Sequence, residues 1–341
     1  MVMDMESHGR RSELTTVADD LVVIHDGTDV HRFDELRPDT QYEFFGQTVR
    51  TLQRPAGELL SRFATVNDVH FGELECGRID DHSDGPILRS APGDEPYPLT
   101  MNHGAVEEIT ASDITTVIVK GDLTSDGQAE EFAAFEQCYG AAFGAGLHVV
   151  RGNHDAYRGQ HAHAGNTLVE LPGLCVLMID TTIAGKHSGA IGTGTFEWLA
   201  DVLDDALPSM IVGHHPQWVS GARAADYFGI NPDDSDRLTA LIADRRSILA
   251  YASGHTHRHR VRRLSSGVPT IEVGCVKDFP GTWAEYRVYE GGVMQVVHRI
   301  STAPALAWSE RCRYLYSDFG VDYASYAMGS LEDRCLSIHR R

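Results

Sequence analysis

Five short apolar segments of the chain each end in side chains that can bind metal ions. The five clusters are Asp68-Val69-His70, Gly121-Asp122, Gly152-Asn153-His154-Asp155, Gly213-His214-His215 and Gly254-His255-Thr256-His257. Segments with helical spacing separate the apolar runs, and this alternation, with an all-strand close, predicts an α/β domain whose sheet is completed by antiparallel strands. Ligands of open α/β sheets bind outside the carboxyl ends of the strands, so we expect the five clusters to converge.

The converging side chains predict a metal centre with more than one ion. They supply the carboxylates of Asp68 and Asp122, the amide oxygen of Asn153 and several imidazoles. Such oxygen and nitrogen atoms are ligands for hard and borderline divalent metals. They outnumber the ligands that one ion requires, which indicates two ions bridged by a shared carboxylate. Mn, Fe, Zn and Co all suit this set, and the sequence does not choose between them.

The pattern divides the chain into four regions. Residues 1–18 are polar, and we expect them to be disordered. Short strands predict a small β appendage over residues 19–60, in which Leu36–Tyr42 resembles the turn and tyrosine corner of fibronectin type III domains, as half a sandwich. Residues 61–300 form the main α/β domain, and residues 301–341 are predicted to fold as a helical C-terminal extension.

The charge of the chain limits its partners. It has 49 acidic and 29 basic residues, a formal net charge of −20. Such a surface repels nucleic acid and anionic membranes, and the basic run Arg258–Arg263 is too short to reverse that. No apolar run approaches the roughly 18 residues of a membrane span, and the N-terminus lacks an apolar signal core. We therefore expect a soluble, cytoplasmic protein that binds a small molecule.

The six cysteines show no C-x-x-C spacing. A core of this size needs no covalent cross-links, so reduced thiols are expected. A disulfide between Cys312 and Cys335 is left open.

The order of the motifs D-x-H, G-D, G-N-H-D, G-H-H and G-H-x-H is similar to that of the calcineurin-like metallophosphoesterase superfamily, over roughly residues 63 to 300. The resemblance implies a four-layer α/β/β/α sandwich. It implies seven metal ligands: Asp68, His70 and His257 for one ion, Asn153, His214 and His255 for the other, and Asp122 as the bridge between them. His214 is preferred over His215 because it follows the strand directly, which leaves His215 to pack or hydrogen-bond beside the ligands.

The resemblance also implies a mechanism. Two cations about 3.5–4 Å apart lower the pKa of a bridging water and hold phosphate oxygens, so that the resulting hydroxide attacks the phosphorus atom. His154 then stabilises the equatorial oxygens or protonates the leaving alkoxide, and Asp155 orients His154. Asn153, His154 and Arg158 are the candidate substrate contacts.

Two departures define the subclass. Purple acid phosphatases carry Gly at the position of His70 and a Tyr ligand at that of Ser125, so an Fe(III)–tyrosinate centre is not expected. The motif set looks like that of the class III cyclic nucleotide phosphodiesterases. Glycerophosphodiesters are the second expected substrate class and phosphomonoesters the third. Loops 73–98 and 216–235 are expected to determine which substrate is bound.

A non-enzymatic role is the alternative from another class. Some members of the fold act as scaffolds or interaction modules, and loss of metal ligands would distinguish them. No ligand position is lost in this chain. The two terminal regions could bind partners or form a homodimer.

Overall fold

The computed structural model describes residues 12–78, 87–224 and 227–341. Its strands are β1 (Glu13–Val17), β2 (Val22–Asp26), β3 (Asp29–Phe33), β4 (Gln41–Phe44), β5 (Gln47–Arg50), β6 (Leu59–Val66), β7 (Val117–Lys120), β8 (Leu147–Val150), β9 (Thr167–Leu171), β10 (Leu174–Met178), β11 (Ser209–Val212), β12 (Ile248–Ser253), β13 (Arg260–Arg263), β14 (Pro269–Glu272), β15 (Thr282–Tyr289), β16 (Gly292–Arg299) and β17 (Leu336–His339). Its α-helices are α1 (Tyr97–Ala111), α2 (Ala129–Phe135), α3 (Ala141–Phe143), α4 (Thr193–Val202), α5 (Pro232–Asp244), α6 (Ala303–Cys312), α7 (Tyr323–Met328) and α8 (Leu331–Arg334).

Two six-stranded sheets form the centre of the main domain. The first has the strand order β17-β16-β15-β6-β7-β8, and the second has the order β13-β14-β12-β11-β10-β9. Strands β6, β7 and β8 are parallel, as are β10, β11, β12 and β14. The remaining strands pair antiparallel: β17, β16 and β15 complete the first sheet beside β6, and β13 and β9 are the edges of the second. The predicted α/β domain whose sheet is completed by antiparallel strands is therefore confirmed.

Hydrophobic cores on both faces of each sheet define four layers. On the inner face of the first sheet, the ring of Phe63 on β6 stacks on that of its cross-strand neighbour Tyr286 on β15, with centroids 4.8 Å apart, in a core shared with the second sheet. The outer face of the first sheet packs under α1 and α6, and that of the second packs under α4 and α5. Central strands such as β11 and β12 are buried along their whole length, which explains why they are continuous apolar runs in the sequence. The predicted α/β/β/α sandwich is confirmed.

The N-terminal region differs from the prediction at its start. Residues 1–11 lie outside the described residues, but Glu13–Val17 form strand β1, so the prediction of disorder to residue 18 is wrong. The Thr-Thr-Val end of this strand is buried, and Thr16 Oγ1 donates a hydrogen bond to the carbonyl of Val297 at 2.7 Å. Strands β1–β3 form one small sheet and β4–β5 a hairpin. The hydroxyl of Tyr42 accepts a hydrogen bond from the Arg37 amide at 2.9 Å, the back-bond of a tyrosine corner.

The C-terminal region is part of the sandwich. Helix α6 packs on the first sheet, where Trp308 stacks on Tyr97 with ring centroids 4.3 Å apart. After α8, strand β17 pairs antiparallel with β16 and forms the edge of the first sheet. The predicted boundary at residue 300 is therefore not a structural one, because the chain returns to complete the sheet. No helix within the described ranges has the length and apolarity that a bilayer crossing requires.

The cysteines are all free thiols. Cys312 is buried in the core beneath α1 and α6, whereas Cys335 accepts a hydrogen bond from the Val17 amide at 3.5 Å. The disulfide between Cys312 and Cys335 that the sequence left open is therefore not formed in the structure.

Candidate metal centre

The predicted ligands converge at the carboxyl ends of the parallel strands β6, β7, β8, β11 and β12. The Nε2 atom of His214 lies 3.3 Å from Oδ2 of Asp122 and 3.1 Å from Oδ1 of Asn153, and it lies 3.2 Å from Nδ1 of His255. The same Oδ2 atom of Asp122 also lies 3.6 Å from Nε2 of His70, a predicted ligand of the other ion. Asp122 thus contacts ligands of both predicted ions, as a bridging carboxylate must.

The ligands of the first predicted ion lie together as well. Nε2 of His257 is 3.6 Å from Oδ1 of Asp68, and the rings of His70 and His257 are 5.5 Å apart. The backbone amide of His255 donates to both oxygens of Asp68, at 3.1 and 3.0 Å. The loop after β12 is therefore held directly on the carboxylate that ends β6.

Five of the seven predicted ligands have a left-handed backbone. Asp68, His70, Asp122, His255 and His257 have φ values between 46° and 72°. This region costs a residue other than glycine about 1–3 kcal/mol, and it persists only where the surrounding structure imposes it. The backbone at the strand ends is therefore strained at the five positions whose ligand side chains point into the same site.

Neighbouring groups fix which ligand atoms face the centre. The Nδ1–H group of His214 donates to the carbonyl of Lys120 at 2.8 Å, which leaves Nε2 as the metal-binding atom. The side-chain amide of Asn153 donates to the hydroxyl of Tyr157 at 2.6 Å, which turns its Oδ1 atom toward His214. In both residues the hydrogen-bond donor is used in a contact outside the centre. The acceptor atom, Nε2 of His214 or Oδ1 of Asn153, therefore faces the centre.

The charges of the cluster favour the binding of positively charged groups. Burial alone would raise the pKa of the Asp122 carboxyl, but His214 and His154 hold it well below its usual range. Burial alone would lower the pKa of His214, but Asp122 raises it to about 9. The buried carboxylate thus remains ionised and draws cationic partners to itself.

An unpaired buried atom shows that the site fits metal ions. Among the described residues, Nε2 of His70 is buried without a hydrogen-bond partner, although it lies 3.6 Å from Oδ2 of Asp122. Leaving such groups unpaired is costly, whereas a bound cation would satisfy acceptors that face one another. The groups Asp68–His70–His257 and Asp68–Asp122–His214 each bring ligand atoms within 4.8 Å of one another. The donor set therefore fits a centre of divalent ions.

The predicted role of Asp155 is wrong. Its buried carboxylate accepts hydrogen bonds from the amides of Gly152 at 2.8 Å and Thr124 at 2.9 Å, and from the Thr124 hydroxyl at 2.8 Å. The Nδ1 atom of His154 instead contacts the carbonyl of Ser125 at 2.6 Å. His154 and Asp155 begin a 3₁₀ turn, in which consecutive side chains point about 120° apart, so neighbours in the chain cannot face each other.

Two other sequence predictions have different outcomes. Arg158 lies on the exposed surface beside the cavity, where its Nε donates to Asp126 Oδ2 at 3.0 Å, and its contact with substrate stays a prediction. His215 hydrogen-bonds through Nδ1 to the Thr181 hydroxyl at 2.8 Å, and its ring lies 4.6 Å from that of His255. It therefore packs beside the ligands, as expected from its place after His214.

Comparison with known proteins identifies the family. The sequence model of the calcineurin-like phosphoesterases matches residues 61–259. The chain belongs to this family.

Individual relatives of the phosphoesterase are distant. The chain is 22% identical over 166 residues to a protein of Synechococcus sp. named probable cyclic nucleotide phosphodiesterase, a match that covers 47% of the chain and 63% of the relative. It is 28% identical over 156 residues to a glycerophosphodiester phosphodiesterase of Enterobacter lignolyticus, which covers 41% of the chain and 55% of the relative. The matches thus span less than two thirds of either relative. A dimetal phosphatase from Danio rerio shares the fold, with a TM-score of 0.55, 16% identity, and coverage of 71% of this chain and 97% of that one.

The phosphoesterase has a carboxylate at its centre that the sequence analysis missed. Oδ2 of Asp278 lies 3.4 Å from Nδ1 of His257, on the side of the ring opposite Asp68. Its Oδ1 atom accepts hydrogen bonds from the Tyr323 hydroxyl at 2.8 Å and the Cys275 thiol at 3.0 Å. A carboxylate on the outer nitrogen of a ligand histidine orients the ring and raises its basicity. Asp278 follows β14, so its place after a strand was an available signal.

A cavity of about 1160 Å³ opens above the ligands of the phosphoesterase. Loop residues after β6, from Gly72 to Arg78, line one wall. Tyr157, His187 and Phe228 line another part, and the C-terminal tyrosines Tyr316, Tyr323 and Tyr326 complete the lining. Of the two predicted specificity loops, 73–98 and 216–235, residues 79–86 and 225–226 lie outside the described residues. The contribution of the C-terminal tyrosines was not predicted.

Proposed function

We propose that the chain is a metal-dependent phosphodiesterase whose substrates are 3′,5′-cyclic nucleotides. The metal-binding cluster at the floor of the cavity supports phosphohydrolysis, since its carboxylates and imidazoles lie around the bridging position of Asp122. The matches to proteins named as cyclic nucleotide and glycerophosphodiester phosphodiesterases point the same way.

The choice of a diester rather than a monoester as the substrate rests on the charges of the cavity wall. Each lysine or arginine among the described lining residues already has an acidic partner: Arg78 and Arg89 pair with Glu75, and Lys277 pairs with Glu73 at 2.5 Å. No lysine or arginine of the described lining is therefore without an acidic partner and free to hold a second phosphate group or the extra charge of a monoester. A diester carries a single negative charge and needs no partner beyond the metal centre.

The residues have distinct roles in this proposal. Asp68, His70 and His257 would hold one ion, and Asn153, His214 and His255 the other, with Asp122 between them. Two bound divalent ions would supply Lewis-acid activation of water and of the phosphate oxygens.

His154 would donate a hydrogen bond or a proton to the bound substrate. Its Nδ1 atom is held by the Ser125 carbonyl, its side chain is 29% exposed, and its Nε2 atom lies 4.0 Å from Asp122 Oδ2 at the cavity floor. A phosphate bound beside Asp122 therefore lies within reach of Nε2, which can stabilise a phosphoryl oxygen or protonate the leaving alkoxide. Asp155 holds the loops that carry Asp122 and Asn153 in register through its bonds to their neighbours.

The test is turnover of bis(p-nitrophenyl) phosphate and of p-nitrophenyl phosphate by one protein sample whose metal content is also measured. We expect two equivalents of metal and a preference for the diester, followed by hydrolysis of cyclic AMP in preference to sn-glycero-3-phosphoethanolamine. A preference for the monoester would assign the chain as a phosphatase. Absence of metal and of turnover, even after addition of manganese, would overturn the enzymatic proposal and leave a scaffold on the same fold.

A further inference from the structure

Phe228 presents an exposed aromatic ring beside the metal-binding cluster. It lies between β11 and α5 and lines the cavity. Its ring stacks on that of His255, with centroids 4.0 Å apart and an interplanar angle of 30°. The residue is nevertheless 53% exposed. One face of the ring is therefore covered by a predicted metal ligand, and a large part of the remaining surface is open.

The other aromatic rings of the lining have structural partners that account for them. The Tyr326 hydroxyl donates to the carbonyl of Thr256 at 2.9 Å, and the guanidinium of Arg258 lies 5.2 Å from its ring. Tyr323 bonds Asp278 and meets the ring of Tyr316 edge to face at 5.2 Å.

Phe228 differs from these tyrosines because it has no polar atom. The ring contact that the described residues give it is the stack on His255. An apolar ring held by one face at the wall of a cavity is suited to receive a second flat group on its other face.

We propose that Phe228 is the platform on which the base of a cyclic nucleotide stacks. The proposal rests on the phosphodiesterase function proposed above and assigns it a base subsite. Because Phe228 lies directly on a ligand of the metal centre, a phosphate bound at that centre places its substituent next to the ring. A phenyl ring offers no hydrogen-bonding pattern, so it binds the face of any base without reading its edge. The kcat/KM values of adenine and guanine substrates should therefore differ far less from each other than either differs from that of a substrate without a base.

The test compares two diesters, cyclic AMP and sn-glycero-3-phosphoethanolamine, in the wild type and in Phe228→Leu and Phe228→Trp. The measured quantity is the ratio of kcat/KM for the first substrate to that for the second. Loss of a base–aromatic stack lowers affinity on the order of tenfold, so Phe228→Leu should lower the ratio by about that factor. Phe228→Trp should keep the ratio at the wild-type value or above. Phe45→Leu, which removes a ring that is 57% exposed on the N-terminal hairpin, is the matched control and should leave the ratio unchanged.

Binding of products provides a second readout that does not depend on turnover. Calorimetric titration of the metal-loaded protein with adenosine 5′-monophosphate and with ribose 5-phosphate should show tighter binding of the nucleotide. Phe228→Leu should remove most of that difference.

The possible failures are distinguishable. A ratio that stays within twofold of the wild type in Phe228→Leu would overturn the platform and leave the phosphodiesterase intact. An equal loss on both substrates would show that Phe228 acts only by supporting His255, which also overturns it. If the wild type with bound metal cleaved neither diester, the proposed function would fail, and equal affinities for the two phosphates would then reject the platform separately.

Discussion

The imidazole of His154 is held by the backbone carbonyl of Ser125, and Nδ1 lies 2.6 Å from that oxygen. A carbonyl can only accept a hydrogen bond, so Nδ1 carries the proton. Nε2, on the far side of the ring, is then the atom that can exchange a proton inside the cavity. The contact comes from the loop after β7 and fixes a residue of the loop after β8.

Replacement of His154 by alanine should lower kcat for cyclic AMP by about 10²–10⁴-fold, the usual contribution of a general acid. The loss should be smaller for bis(p-nitrophenyl) phosphate, because p-nitrophenolate leaves without being protonated. Metal content should stay at the wild-type value, since His154 is not among the predicted ligands. His161→Ala, on an exposed loop, is the control. Full activity of His154→Ala on cyclic AMP would remove His154 from the mechanism.

Replacement of Tyr157 by phenylalanine should weaken binding of one metal ion by about 10–100-fold, the usual effect of losing a group that orients a ligand. The Tyr157 hydroxyl accepts the amide of Asn153 at 2.6 Å, and without it the amide is free to turn its oxygen away from His214. Titration of the apo-protein with Mn²⁺ measures this directly. Tyr314→Phe, at a residue that is 65% exposed, should bind metal as the wild type does. Equal affinities in the two variants would contradict the orienting role.

Replacement of Asp155 by asparagine should destabilise the metal-free protein by about 2 kcal/mol or more. Its carboxylate accepts three backbone amides and one hydroxyl, and the amide group of asparagine would point a donor at some of them. Urea denaturation monitored by tryptophan fluorescence gives the change in unfolding free energy. The exposed Asp126→Asn substitution is the control. A stability equal to that of the wild type would show that the loops keep their register without this carboxylate.

The N-terminal sheet contains a buried histidine that makes stability depend on pH. Burial, followed by the charge of Arg299, lowers the pKa of His25 to about 3. Its Nδ1 atom lies 2.7 Å from the Thr15 hydroxyl and its Nε2 atom 3.1 Å from that of Ser301, so the neutral ring ties the sheet to the main domain. Around it, Arg313 and His31 also disfavour the charged form, whereas Glu310 favours it.

The unfolded chain therefore binds a proton at His25 that the folded chain does not. The contribution to stability is complete above the unfolded pKa of about 6.5 and is lost as the pH falls from there toward 3. At pH 5, about 1.5 pH units below the unfolded pKa, the loss should be about 2 kcal/mol. The test measures the unfolding free energies of the wild type and of His25→Asn at pH 7 and pH 5. Between these pH values the wild type should lose about 2 kcal/mol more of its unfolding free energy than the variant. Parallel pH profiles would exclude His25 as the source.

The fold could be predicted because the central strands are buried on both faces. The runs Met210–Val212 and Ile248–Ala252 are apolar along their length, so the polar residues that end them stand out in the sequence. The boundary at residue 300 was wrong because Leu336–His339 alternates apolar and polar residues over four positions, so it lacks the continuous apolar run that marks β7 and β11, which are equally short.

The outer parts of the site could not be predicted in the same way. The Ser125 carbonyl is a backbone atom, which no side-chain motif reveals, and it is 29 residues from His154 in the chain. Phe228 reaches the cavity from a loop and Tyr326 from helix α7, and their aromatic character alone is equally consistent with a buried core position. Such residues become visible only when the tertiary structure brings them to the centre.

The order of strands in the first sheet has a consequence for synthesis of the protein. Strand β17 closes that sheet, and Arg334 just before it donates to the carbonyls of Leu14 and Thr15 on the first strand, at 2.8 and 3.1 Å. Tyr323 and Tyr326, which precede it, line the cavity. A chain still emerging from the ribosome can pair β6, β7 and β8, but it lacks a wall of its cavity until these residues appear. Nascent chains should therefore acquire the ability to retain substrate only after residues 323–339 have left the ribosome.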